Sequence, residues 1–197
     1  MKLIIATSNP GKFSEFAACL VDTGLELVSL TDFPDIPEII ENGSTFMENA
    51  LIKARSVTSF TGLISLADDS GLVVDALGGQ PGVMSARFAP TTVERNAKLL
   101  ELMKDVEDEQ RTARFICALA FIRPDGFEWT VTGVCEGRIT REIAGFQGFG
   151  YDPVFYYAPL GKTFAEIPRE IKNRISHRGR ALEALKKALF EEGIAGK

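Results

Sequence analysis

Two adjacent carboxylates, Asp68 and Asp69, follow an apolar run and lead straight into Ser70 and Gly71. Leu63–Ala67 reads as a strand, and strand ends in open α/β sheets are where ligand sites form. Neighbours on an extended chain point to opposite faces, so only one of the pair can face a ligand. Carboxylates beside a buried strand are costly to keep without a purpose. The chemistry open to them is ligation of a hard cation and general-base work. An Asp-rich turn closed by Gly71 is the plainer alternative.

A second segment, Thr7-Ser8-Asn9-Pro10-Gly11-Lys12, links a strand to a helix. Ser8 or Asn9 can cap that helix, and Pro10 suits its first position. Backbone N–H groups at a helix start attract phosphate, Gly11 permits close approach, and Lys12 adds a full charge. The P-loop consensus GxxxxGK followed by Ser or Thr is absent, and an ordinary strand–helix turn with an exposed lysine fits the same residues. Farther on, Glu41 precedes Thr45-Phe46-x-Glu48-Asn49-Ala50-x-x-Lys53-Ala54. Asn49 and Lys53 are one helical turn apart on a shared face, functional or simply part of a capped surface helix.

Toward the C-terminus, Gly145-Phe146-Gln147-Gly148-Phe149-Gly150-Tyr151-Asp152-Pro153 alternates glycine with aromatics. Phe149 could stack on a flat base, and Asp152 could accept hydrogen bonds. A glycine-rich corner plugged by rings is the other reading. Lys172 and then Ser176-His177-Arg178-Gly179-Arg180 complete the set, with His177 the sole histidine. A lone histidine is commonly structural, but one flanked by Ser176 and Arg178 before a helix is a better ligand candidate. The fixed donors of Arg178 suit a purine 6-oxo acceptor and would reject a 6-amino group.

These residues need elements to hold them. Lys2–Thr7 and Leu25–Leu30 read as strands, and Pro10–Asp22 as a helix with Phe13, Phe16, Ala17 and Leu20 on one stripe. Phe33–Gly43 is a loop, and Thr45–Phe60 a helix. Leu72–Leu77 is extended again and ends in Gly78-Gly79-Gln80-Pro81-Gly82. Thr92–Lys104 is an amphipathic helix. Thr112–Ile122 and Glu128–Val134 form a hairpin turned by Pro124-Asp125-Gly126. Asp152–Tyr157 is a last strand, and Arg169–Ile175 and Gly179–Glu191 are helices. The pattern predicts an α/β protein with a mixed sheet.

The 197 residues suit one large domain, or two lobes sharing a sheet. The net charge of −5 speaks against broad nucleic-acid binding but not against a small anion held by a few cations. Cys19, Cys117 and Cys135 are odd in number and far apart, which argues against a disulfide framework or a thiolate zinc site. The opening MKLIIATSNPGK is too briefly apolar for a signal peptide, and no apolar stretch is long enough to span a membrane. A reducing cytoplasm is the expected location.

The order and spacing of TSNPGK, TFMENALIKA, ADDSGLVVDALGGQPGVMSAR, GFGYDPVF and SHRGRAL resemble one family, the inosine triphosphate pyrophosphatases or dITP/XTP diphosphatases, from Lys2 to about Leu189. The resemblance implies an elongated mixed β-sheet flanked by helices, two lobes with a central substrate cleft, and a homodimer. It implies Mg²⁺-dependent hydrolysis of ITP, dITP and XTP to the monophosphate and pyrophosphate, which clears deaminated purines from the nucleotide pool. By the same resemblance Thr7, Ser8, Asn9, Pro10, Gly11 and Lys12 hold the triphosphate, with Lys53 adding charge. Glu41 and Asp69 serve the metal, Asp69 is also the general base, and Ser70 touches substrate. Phe149, Gly150, Tyr151 and Asp152 cover and read the base, with Lys172, His177 and Arg178 completing its pocket. Attack at the α or the β phosphorus stays open. Two rivals remain: a pyrophosphatase of the septum-inhibitor type acting on dTTP, UTP or modified nucleotides, and a nucleotide sensor without turnover.

Overall fold

The computed structural model describes residues 1–196. The helical and strand elements run β1 (Lys2–Ile5), α1 (Pro10–Leu20), β2 (Glu26–Ser29), α2 (Phe46–Thr61), β3 (Ile64–Val74), α3 (Thr92–Leu102) and β4 (Thr112–Ile122). They continue through β5 (Glu128–Ile139), β6 (Phe155–Tyr157), β7 (Lys162–Thr163), α4 (Arg169–Ile175) and α5 (His177–Glu191). The seven strands form one sheet in the order β2-β1-β3-β4-β5-β6-β7. Parallel pairing of β1 with β2 and β3, and antiparallel pairing of β6 with β5 and β7, make it mixed. The expected α/β architecture is therefore present. No described helix is long and apolar enough to cross a membrane.

The chain divides into two compact units, Met1–Asp69 with Cys117–Gly133 and Arg178–Lys197, and Ser70–Ile116 with Val134–His177. In the first unit strand alternation fills two separate cores. Leu3, Ile5, Leu66, Cys117, Leu119 and Phe121 pack with Phe16 and Leu20 of α1 and Leu182 and Leu185 of α5. Ile4, Ala67, Ala118 and Ala120 point the other way, onto Ala50, Ala54 and Val57 of α2. Burial on both faces explains why these strands read as unbroken apolar runs. The second unit has its own core of Leu72, Val74, Leu99, Met103, Phe115, Phe155 and Phe164.

Boundaries move by one or two residues in most places, and five differences are larger. The stretch expected to be extended over Leu72–Leu77 ends at Val74 and turns as a 3-10 helix over Asp75–Leu77, closed by Gly78 at φ +61°. A two-residue strand, β7, follows the one expected to be the last, too short to leave a pattern in the sequence. The segment Asp68-Asp69-Ser70-Gly71 is not a turn but the middle of β3, an eleven-residue strand that joins the two stretches expected separately. Asp and Gly favour turns when nothing else acts, but tertiary pairing overrides that preference here, and Gly71 does not adopt a positive φ. The strand expected at Asp152–Tyr157 starts as a 3-10 turn over Asp152–Val154, and only Phe155–Tyr157 is extended. Pro153 accounts for this, because its ring fixes φ and it has no N–H to give a ladder. Finally β5 runs on to Ile139, five residues past the expected end at Val134.

Candidate active site

In the first unit, β3 presents Asp68 and Asp69 to opposite faces. Asp68 shares its face with Ile64 and Leu66, toward α1 and α5, and is 1% exposed. Its Oδ2 is 2.9 Å from Lys12 Nζ and accepts from Arg178 Nη2 at 3.2 Å. Arg178 Nη1 donates to Glu15 on α1. Burial alone would push the Asp68 carboxyl up, but Lys12, Arg178 and Lys53 outweigh it and hold the group well below the usual carboxylate range. Burial likewise works against the charge on Arg178, and Asp68 and Glu15 more than restore it. Cys117, in the same surroundings, is pushed up to about 12 by burial, so it stays a neutral thiol.

Asp69 turns toward α2 and is only partly buried. Asn49 Nδ2 donates to its Oδ2 at 3.0 Å. Its carboxyl is raised, with burial the largest cause and Glu41 adding to it, against the lowering by Asn49, Lys53 and Lys12. Lys53 Nζ lies 3.0 Å from Glu41 Oε2 and donates to the Asp68 carbonyl at 2.9 Å. One lysine thus ties the loop bearing Glu41 to the strand bearing both aspartates. The capping box of Thr45 and Glu48 fixes the start of α2 and with it the height of Asn49 and Lys53.

At the head of α1 it is Asn9, not Ser8, that caps: its Oδ1 accepts from Gly11 N at 2.9 Å and Lys12 N at 3.2 Å. Thr7 Oγ1 accepts from Asn9 N at 3.2 Å. Pro10 occupies the first turn and Ser8 is exposed. Two of the helix-start amides expected to face phosphate are therefore occupied by Asn9, and the Lys12 ammonium is the segment's principal positive group.

The second unit gathers the other predicted residues. Lys172 Nζ donates to Asp152 Oδ2 at 2.6 Å, and the same oxygen accepts from Phe149 N at 2.8 Å. Lys172 also sits 4.6 Å from the Phe149 ring centroid. Gly148 has φ +77°, and a Cβ there would run into the Asp152 carboxylate, so glycine is required for this loop to close on Asp152. His177 is buried and stacks on Phe115 at 4.7 Å between centroids. Ser70 begins this unit and is half-buried. Gly150 carries the carbonyl that Asn96 Nδ2 holds at 3.1 Å, and Tyr151 Oη donates to the Ser85 carbonyl at 2.9 Å.

Sequence reading thus missed several positions with clear structural roles: Glu15 on Arg178, Asn49 on Asp69, and Asn96 and Ser85 beneath the 149–152 loop. Asn49 alone carried a signal, its one-turn spacing from Lys53. Arg178, read as a base contact, is 2% exposed with its guanidinium on two carboxylates.

Among the described residues no group of three His, Cys, Asp or Glu side chains forms a complete protein cage for a metal. Glu41 and Asp69 offer hard oxygen donors beside Lys53. That donor set fits a cation which completes its shell with water and substrate oxygens, the habit of Mg²⁺.

A model of the Ham1 family matches residues 3–188. The chain is 51% identical over 186 residues to a dITP/XTP pyrophosphatase of Desulforamulus reducens, covering 93% of this chain and 92% of that one. It is 50% identical over 196 residues to a dITP/XTP pyrophosphatase of Geobacter sulfurreducens, covering 98% of each. Among solved structures, a HAM1 protein from Coxiella burnetii superposes with a TM-score of 0.90 at 43% identity, covering 97% of this chain and 99% of that one.

Proposed function

Because the chain belongs to the Ham1 family, we propose that it hydrolyses non-standard purine nucleoside triphosphates, dITP, ITP and XTP, to the monophosphate and pyrophosphate, with Mg²⁺ as cofactor. Relatives at about half identity over nearly the whole chain are named for dITP and XTP, which supports this substrate class. The observation that carries the chemistry is Asp69, a carboxylate made more basic by burial while Lys12 and Lys53 stand close enough to act on it.

In this reading the first unit handles the phosphates. Lys12 and Lys53 offset the charge of the triphosphate and of the departing pyrophosphate, where fixed cations are worth more than in water. Glu41 and Asp69 hold the Mg²⁺, which supplies Lewis-acid polarisation of the phosphate oxygens when bound. Asp69 orients the attacking water and takes its proton. The water oxygen forms the new bond to the α or the β phosphorus and the P–O bond that bridges them breaks; the electron pair goes with pyrophosphate after attack at α and with the monophosphate after attack at β. Asp68 is not positioned for proton transfer, since Lys12 and Arg178 keep it ionised. It keeps Lys12 at the head of α1 instead.

Phe149, Asp152 and Lys172 serve the base. Phe149 supplies a ring for stacking, and the Lys172–Asp152 pair fixes that ring and presents polar groups at its edge. Arg178 remains assigned to the 6-oxo group by family resemblance, a role it would share with holding Asp68 and Glu15. Pyrophosphate release from dITP, ITP, XTP, ATP, GTP and dTTP, with and without Mg²⁺, tests the proposal. Fast Mg²⁺-dependent release from dITP, ITP and XTP and little from ATP and GTP supports it. Preference for dTTP, or tight dITP binding without turnover, contradicts it.

A further inference from the structure

Asn49 has no part in the chemistry above, yet its side chain bonds Asp69 with one end and, with the other, the backbone two residues past Glu41. It is 4% exposed, on the first turn of α2. Its Nδ2 donates to Asp69 Oδ2 at 3.0 Å, and its Oδ1 accepts from Gly43 N at 2.8 Å. The two ends of this amide are not interchangeable. A backbone N–H can only donate, so Oδ1 must face Gly43, and an ionised carboxylate can only accept, so Nδ2 must face Asp69. Flipping the amide would place donor on donor and acceptor on acceptor.

The backbone is shaped to permit this. A Cβ at Gly43 would stand 2.8 Å from Asn49 Oδ1 and 2.6 Å from Glu48 Cβ, so a larger residue would push the loop off the amide. Gly43 lies two residues from Glu41, and Ser44 N and Thr45 N are both taken by Glu48 Oε2, at 2.6 and 3.2 Å. The segment after Glu41 is thus fastened at three consecutive amides. Lys53, one turn along the same helix, fastens the Glu41 carboxylate itself.

We infer that Asn49 is the positioning residue of the divalent-cation site: its single amide sets the Asp69 carboxylate with one end and the Glu41 loop with the other, and so fixes the separation of the two ligands. The inference rests on reading Glu41 and Asp69 as the cation-holding pair. Groups that orient metal ligands typically change metal affinity by about 10–100-fold when removed. A residue that merely stabilised α2 would change the unfolding temperature and leave cation affinity alone.

The test uses the full chain with Asn49→Ser, which keeps a polar group but reaches neither partner, and Asn49→Leu, which keeps the volume. Binding of Mn²⁺ alone is followed by electron paramagnetic resonance, without nucleotide. The Mg²⁺ concentration for half-maximal dITP hydrolysis and thermal unfolding in EDTA are measured on the same samples. In whichever variant folds, Mn²⁺ affinity should fall by about tenfold or more. The Mg²⁺ requirement should rise to match, and the rate should recover most of its value at saturating Mg²⁺. A folded variant with the parent's Mn²⁺ affinity and Mg²⁺ requirement overturns the inference, as does a lower rate that excess Mg²⁺ does not restore. Glu41→Gln and Asp69→Asn are titrated alongside. If they weaken Mn²⁺ binding and both Asn49 variants do not, only the role of Asn49 is lost. If neither weakens it, the cation pair itself is lost.

Discussion

The two compact units handle polar groups in opposite ways. The first concentrates charge: Lys12, Lys53, Arg178, Glu15, Glu41 and Asp68 are linked by short contacts, several of them buried, with Asp69 beside them on Asn49. The second concentrates rings around one buried ion pair, with Lys172 and Asp152 beside Phe149, and His177 on Phe115. Charge is what a triphosphate and its departing pyrophosphate demand, since fixed cations act on them without reorganising. Flat apolar surface with a few polar edges is what a purine demands. Within the first unit the contrast repeats between neighbours. Asp68 faces cations and stays ionised, while burial makes Asp69 more basic against the lowering by Asn49, Lys53 and Lys12. Adjacency on a strand delivers two environments from one dipeptide.

The sharpest way to break this contrast is Asp69→Asn. It removes the proton acceptor and one cation ligand without changing core volume, so hydrolysis should fall by about 10²–10⁴-fold, with the unfolding temperature near the parent's. Next is Asp68→Asn, whose main effect should be on stability. Removing one partner of a buried ion pair costs about 3–5 kcal/mol, because the remaining charge is stranded. The pH dependence carries a definite sign. The folded-state pKa of Asp68 lies below its ordinary 3.8, so its ionised form adds stability above that value, and this is lost as pH falls toward the folded value. Chemical unfolding across the acid range should show that arm in the parent and a flatter one in the variant.

Smaller effects belong to the second unit. Phe149→Ala should weaken purine binding by about 1–3 kcal/mol, visible as a raised KM with kcat less affected. Asn96→Ala releases only the Gly150 carbonyl, a loss of about 0.5–1.5 kcal/mol, and should raise KM a few-fold for all purines alike. The acid limb of kcat/KM should lie above 3.8, since burial raises Asp69 and the base must be ionised. Lys53→Met removes a cation that lowers this value, so the limb should move further up, as pH–rate profiles would show.

The candidate residues Asp69, Lys12, Lys53 and Phe149 were legible only through the order and spacing of five segments, because each segment alone also fits an ordinary turn, capped helix or glycine-rich corner. Their partners were not. Glu15 and Arg178 are 163 positions apart and Asp68 and Arg178 are 110 apart, and no local pattern encodes such a contact. The same reason hid the stability role of Arg178, which reads locally as a free set of donors before a helix. The hairpin strand Thr112–Ile122 and the helix Arg169–Ile175 were placed to the residue, since alternation and helical spacing are local. The continuity of β3 through Asp68-Asp69-Ser70-Gly71 was missed, since its turn-like composition is overruled only by pairing with strands distant in sequence.

That Lys53 serves the chemistry while Phe149 holds the base is tested most directly by kcat and KM for dITP in Lys53→Met and in Phe149→Ala. Lys53→Met should lower kcat, and Phe149→Ala should raise KM with kcat near the parent's. An unchanged kcat in Lys53→Met, or a kcat in Phe149→Ala that falls with KM unchanged, would contradict it.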